Sequence, residues 1–320
     1  MRKIFLTLII CGISWFVSSD ASAQTNTSAT QPTLKALIVD GQNNHNWRGT
    51  TPVLKSILET SGRFTVDVAT TPTRRDKDAD AETYKTNLAA FKPDFAQYGV
   101  VVMNYNSNET HDDWSPETKK AFEEYVANGG GLVIYHAADN SFPNWEVFNK
   151  MIGLGGWDRG HLPATAGKYL YWEDGKAVSS NESGKPRGNH GPAWAFPIDV
   201  RNTEHPITAG LPLVFRHCQD ELYDYMWGPA ENVTILATAH ATNNGSGRHE
   251  PMLMTISYGK GRIFHTALGH DVQQVKSVSF IVTFLRGAEW AATDKVTIPI
   301  PSDFPGKDEP TFREIAVPGR

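Results

Sequence analysis

The chain has 320 residues, of which 40% are hydrophobic and 20% charged. That composition is globular and excludes an intrinsically disordered tail protein. The formal net charge of −5 excludes the basic footprint of a nucleic-acid partner. Nine Trp and eleven His suit a site that handles a polar, ring-shaped ligand.

At the N-terminus, Arg2 and Lys3 precede an apolar run over 4–17, and the small residues 18–23 end in Ala21-Ser22-Ala23. A basic start, a short apolar stretch and an A-x-A site form the pattern of a secretory signal peptide. The apolar run is too short to span a bilayer comfortably, which disfavours the alternative, an N-terminal anchor. The expected organisation is a signal peptide over 1–23, a flexible polar leader over 24–33, one domain over 34–292 and a Pro-rich tail over 293–320. The expected location is periplasmic or secreted. Cleavage would remove Cys11 and leave Cys218 alone, so no internal disulfide supports the fold and the core must be large enough by itself. No later segment approaches membrane-span length.

In chain order, 34–39 reads as a buried strand. Thr51 and Pro52 open a helix that Gly62 closes. Residues 64–68 alternate as a second strand, and 74–80 are a charged loop. A buried strand at 100–103 ends in Asn104-Tyr105-Asn106. Ser115 caps a helix that begins at Pro116 and ends at Gly129. A strand at 132–135 closes at His136. Near-continuous apolar strands between helices point to a parallel sheet covered on both faces. From 153 to 203 the chain is rich in Gly, Trp and polar residues and reads as elaborated loops with short strands such as 168–172. Further strands follow at 233–239, 252–257 and 262–267, the last two joined by the hairpin signal Tyr258-Gly259-Lys260-Gly261. Residues 272–291 have helical spacing.

Ligands of parallel sheets sit beyond the carboxyl ends of the strands. His136 stands at such an end, either as a functional group or as a core histidine bonded to backbone. His45 follows the first strand in a Gly- and Asn-rich loop, either as a functional group or as part of a simple turn. In Asp220-Glu221 the two side chains of an extended segment point to opposite faces, so one of them enters a site, unless the pair is only a cap or ion pair. Asp271 is placed to cap the last helix, and His270 then faces a ligand unless the stretch is a cap alone. His161 and His190 lie in the elaborated loops with Trp157, Trp172 and Trp194, whose faces either stack on sugar rings or pack the loops onto the sheet. There is no Walker loop, no Gly-x-Gly-x-x-Gly, no His-Glu-x-x-His and no Gly-x-Ser-x-Gly. No nucleotide cofactor is therefore expected.

Four stretches in order resemble the ThuA-like (trehalose utilisation) family: the run from Gly130 to Ala138 (GGLVIYHAA), the run from His205 to Pro212 (HPITAGLP), Asp220-Glu221-Leu222-Tyr223, and Tyr258-Gly259-Lys260-Gly261-Arg262 followed by Leu268-Gly269-His270-Asp271. The likeness covers roughly 34–292. It implies an α/β fold, a parallel-sheet three-layer sandwich similar to class I glutamine amidotransferases and flavodoxin-like proteins, with elaborated loops. Those amidotransferases carry a cysteine at the turn after a central strand. Here that turn reads Tyr135-His136-Ala137, so glutaminase chemistry is not expected. The resemblance further implies sugar catabolism, on disaccharides or 3-keto-glycosides.

The leading expectation is an exported carbohydrate-processing enzyme, a lyase, hydrolase or isomerase, using metal- or His-assisted acid/base chemistry. Glu221, His136 and His270 are the expected catalytic groups. His45, His136, His161 and His270 are the expected ligands of a divalent metal, Zn or Mn. A non-catalytic sugar-binding module on the same fold is the alternative, and a hydrolase with a Ser or Asp nucleophile is a third. The partner is a small carbohydrate rather than a nucleic acid or a membrane; oligomeric state is not encoded legibly.

Overall fold

The computed structural model describes residues 32–73, 80–107, 113–157, 163–181 and 188–317. The stretch expected to be a signal peptide, most of the expected leader, nearly all of the charged loop and His161 lie outside the described residues. Within them, strands β1 (Leu34–Asp40), β2 (Phe64–Thr70), β3 (Val100–Met103) and β4 (Gly131–Tyr135) are separated by helices α1 (Trp47–Thr60), α2 (Ala81–Ala90) and α3 (Pro116–Ala127). A short helix α4 (Glu146–Ile152) leads to β5 (Lys168–Glu173), β6 (Lys176–Ser180), the two-residue β7 (Asn189–His190), and β8 (Trp194–Val200). Then come β9 (Val214–Asp220), β10 (Tyr223–Asp224), β11 (Trp227–Gly228), β12 (Val233–His240), β13 (His249–Tyr258), β14 (Gly261–Thr266), α5 (Val272–Val275) and α6 (Val278–Thr293).

The main sheet runs β2-β1-β3-β4-β14-β13-β12-β8-β9. From β2 to β14 neighbouring strands are parallel. From β14 to β9 they are antiparallel. The fold is therefore mixed α/β, and the expectation of a parallel sheet holds for five strands only. Alternating reversals leave β9 pointing the same way as β1, β4 and β14, so all four deliver their carboxyl ends to one rim.

The helix α6 explains how the edge strand β9 comes back toward the centre. Every residue from Val278 to Ala291 is buried, and a helix apolar all round needs cover all round. It packs on β3, β4 and β14 and also on β9. Bulges at Ile235/Ala237 in β12 and Ala195/Pro197 in β8 bend the antiparallel half over the helix. Arg286 of α6 donates to the carbonyls of Pro206, Ile207, Ala209 and Ile298 at 2.7–2.9 Å. This pins the stretch from His205 to Pro212 against the helix, and the role of that stretch is structural. Residues 294–317 then cross the surface: Glu289 accepts from Thr297 and Ile298, and Phe304 packs on Phe215.

Three local readings need correction. Helix α1 begins at Trp47, because the Asn46 side chain caps it by accepting from Gly49 N; Pro52 sits inside the helix. Helix α2 falls where no helix is expected. Only Tyr84 and Leu88 are buried in it, too few to write a clear helical period. The last helical stretch is two helices, capped by Asp271 and by Ser277.

Candidate functional site

The carboxyl ends of β1, β4, β9 and β14 lead within five residues to His45, His136, Glu221 and His270. One ligand atom from each of these residues lies within 4.8 Å of the others. Glu221 Oε2 stands 3.0 Å from His270 Nδ1, 3.6 Å from His136 Nε2 and 4.0 Å from His45 Nε2. The other carboxylate oxygen, Oε1, faces His190 Nε2 at 3.5 Å. His190 reaches this position because β7 pairs with β10, placing it opposite Tyr223.

Each imidazole is held by its other contacts. His136 Nδ1 donates to Ala267 O at 2.8 Å, which leaves Nε2 as an acceptor for the Tyr223 hydroxyl at 2.9 Å. His45 Nδ1 donates to Asn44 Oδ1 at 3.1 Å, which turns Nε2 toward Glu221. Asn106 holds Asn44 Oδ1 in turn at 2.7 Å. His136 adopts φ 45°, a left-handed conformation that costs a non-glycine residue roughly 1–2 kcal/mol. The bend turns its ring off the strand end into the cluster. Gly269, at φ 103°, passes so close to Tyr135 and Phe280 that a Cβ would meet them at 2.7 Å.

The electrostatics follow from the crowding. Burial alone would raise the Glu221 carboxyl, but the contacts from His136, His270 and His45 outweigh it and hold Glu221 well below the usual carboxylate range. Burial pulls His45 down. The Glu221 carboxylate raises His270. Behind the cluster, burial would raise Asp220, yet its bond to His217 keeps it low.

The donor set fits a divalent cation. Three imidazoles and one carboxylate are the ligand chemistry of Zn and Mn sites. His270 Nδ1 is shut off from solvent and makes no hydrogen bond among the described residues, since Glu221 lies outside hydrogen-bond geometry. His136 Nε2 can join a cation once the Tyr223 hydroxyl turns its proton away.

His45, Glu221 and His270 line a cleft of about 510 Å³, together with Asn44, Asn46, Asn140, Asn189, His190 and Met226, within the usual size range of ligand sites; His136 lies buried beneath them. Trp157, Trp172 and Trp194 do not line it. Trp157 is fully buried and donates to Ser141 O. Trp172 lies under Arg201, and Trp194 packs on Phe196. None of the three therefore stacks on a ligand in this cleft, and Trp157 and Trp194 pack against their neighbours. Cys218 is buried within β9, away from the His136 turn. Of the expected site residues, the structure brings His45, His136, Glu221 and His270 together; His161 lies outside the described residues. Asn44, His190 and Tyr223 join the site through β7–β10 pairing and loop contacts that no local pattern announces.

Comparison with known proteins agrees with this architecture. The family model described as trehalose utilisation (ThuA) matches residues 35–291. A ThuA-like protein of Parabacteroides merdae superposes with a TM-score of 0.79 at 45% identity, covering 88% of this chain and 98% of that one. A ThuA-like protein of Bacteroides uniformis gives a TM-score of 0.52 at 21% identity, covering 84% and 95%, a likeness of fold. No curated protein matches the chain. A family match over nearly the whole described domain, with this relative at 45% identity, settles the kinship: the chain belongs to the ThuA (trehalose utilisation) family.

Proposed function

We propose that this is an exported carbohydrate-processing enzyme that acts on a 3-keto-glycoside in the cleft above His45, His136, Glu221 and His270. The observation that supports it most is the convergence of three imidazoles and a carboxylate, from four strand ends, within 4.8 Å. His45 Nε2, His136 Nε2, His270 Nδ1 and Glu221 Oε2 would hold a Zn or Mn ion. Such an ion, when bound, supplies a Lewis acid for a carbonyl oxygen.

The chain's own groups carry the rest. A keto group acidifies the neighbouring C–H. Glu221 Oε1 and His190 Nε2, 3.5 Å apart across the cleft floor, are the pair that can take that proton and return it. Asn44, Asn46, Asn140 and Asn189 offer donors and acceptors to sugar hydroxyls. Tyr223, buried and hydrogen-bonded to His136, keeps that ring in place.

The Asn-rich wall also favours a second reading, a sugar-binding module without turnover. Protein purified without chelator, assayed for metal by elemental analysis and then incubated with 3-keto-glycosides, separates the two. Near-stoichiometric Zn or Mn with turnover supports the enzyme. Glycan binding without metal or turnover supports the module. Neither metal, turnover nor binding removes both.

A further inference from the structure

The carboxylate next to Glu221 does not enter the cleft. Asp220 is fully buried, and its two oxygens collect the backbone of two of the segments that carry cleft residues. Oδ1 accepts from Glu221 N at 2.8 Å and from His270 N at 3.2 Å. Oδ2 accepts from Gly269 N at 2.7 Å and from His217 Nε2 at 2.8 Å. Glu221 follows β9 and His270 follows β14, strands four places apart in the sheet. Asp220 is thus a direct hydrogen-bonded tie between the two.

The tie has its own support. His217 is fully buried, and its Nδ1 lies 2.8 Å from Ser279 Oγ. Ser279 Oγ in turn lies 3.4 Å from Ser277 Oγ. His217 Nε2 donates to the Asp220 carboxylate, and Nδ1 shares a hydrogen bond with the Ser279 hydroxyl. A buried carboxylate without such a partner would be strongly unfavourable. The line Ser279–His217–Asp220 runs from the start of α6 to the backbone of Glu221 and His270.

We infer that Asp220, backed by His217 and Ser279, is a positioning residue that sets the spacing of Glu221 and His270 as ligands of a divalent cation. This rests on the proposed metal centre. Outer partners of metal ligands typically contribute about 10- to 100-fold in affinity, and a tie between two ligand-bearing loops belongs in that range.

The test is Zn²⁺ titration of the full chain by calorimetry, with the visible spectrum of the Co²⁺-loaded protein as a readout of ligand geometry. Asp220→Asn keeps one carbonyl oxygen but turns an amide toward Gly269 N and His217. It is expected to weaken Zn²⁺ binding about 10- to 100-fold and to shift the Co²⁺ spectrum. Ser279→Ala, which leaves the Asp220 contacts in place, is expected to weaken binding by a smaller factor; it decides the matter if Asp220→Asn does not fold. Glu289→Gln, at the far end of α6, controls for general destabilisation and is expected to leave affinity unchanged. Wild-type affinity in Asp220→Asn, or in Ser279→Ala where Asp220→Asn does not fold, overturns the inference while the metal centre stands. An equal loss in Glu289→Gln overturns it as a mere stability effect. A wild-type protein that binds no Zn²⁺ overturns the metal centre and the inference with it.

Discussion

Glu250 gives a pH dependence that can be worked out from its surroundings. It is 3% exposed in β13, beneath the loop that follows β12. Burial raises its carboxyl and the nearby Asp224 adds to this, against the Ser246 hydroxyl that donates to Oε1 at 2.6 Å; the group is pushed up to about 7 from 4.5. Between those two values the folded protein holds a proton that the unfolded chain has released. Stability therefore falls as pH rises through the window from 4.5 to 7 and levels off above it. A gap of that size corresponds to about 3 kcal/mol. Glu250→Gln mimics the protonated acid and keeps an acceptor for Ser246. Urea unfolding at pH 4.5, 6, 7 and 8 should show the variant close to wild type at the lowest pH and more stable by about 3 kcal/mol at pH 8. The comparison isolates Glu250, because His217, raised to about 9 chiefly by Cys218 and Asp220 against the effect of burial, is the same in both proteins. A stability difference that does not change with pH would refute the reasoning.

Other expectations follow from the same contacts. Zn²⁺ at a hundredfold excess over its Kd should stabilise the wild type by about 2.7 kcal/mol in thermal or urea unfolding, and Glu221→Gln should abolish most of that gain; equal stabilisation of both would exclude Glu221 as a ligand. Arg286→Met strips four backbone carbonyls of their donor and should cost about 3 kcal/mol or more, read as a lower urea midpoint, while Arg286→Lys recovers only part because an ammonium has three donors. Gly269→Ala places a methyl against Tyr135 and Phe280 at φ 103°, so it should lower both thermal stability and Zn²⁺ affinity; an unchanged affinity would mean that His270 tolerates movement of its loop.

Much of the central layer is legible in the sequence because each element there announces itself locally. The apolar runs at β1, β3 and β4 are buried on both faces, so they carry no alternation and stand out. Ser115 accepts from Thr118 N as a cap must, and the Tyr258-Gly259-Lys260-Gly261 turn joins β13 to β14 with Tyr258 paired to Gly261. What is not legible depends on partners distant in the chain. Strand direction beyond β14 is set by short connections and by the need to cover α6, neither of which writes a residue pattern. The same holds for α2, whose face is mostly exposed.

The candidate site divides along that line. His45, His136 and His270 could be picked out singly because each follows an apolar strand, and strand ends are where a sheet of this kind exposes side chains; Glu221 stands out only as half of the Asp220-Glu221 pair. Their meeting could not be read, since it needs β9 to fold back over α6 and Asp220 to fasten the end of β9 to the loop after β14. His190 shows the limit most clearly. It stands in a stretch without periodicity, and only the two-residue pairing of β7 with β10 carries it to Glu221. The tryptophans mislead for the converse reason: a large aromatic ring near a polar loop reads equally well as a sugar platform or as the wedge that packs the loop, and burial decides. Three imidazoles gathered around one carboxylate, with neighbouring loops tied to a second, buried carboxylate, form an arrangement that four separate strand ends must share. Its stability therefore belongs to the curled sheet as a whole rather than to any one motif.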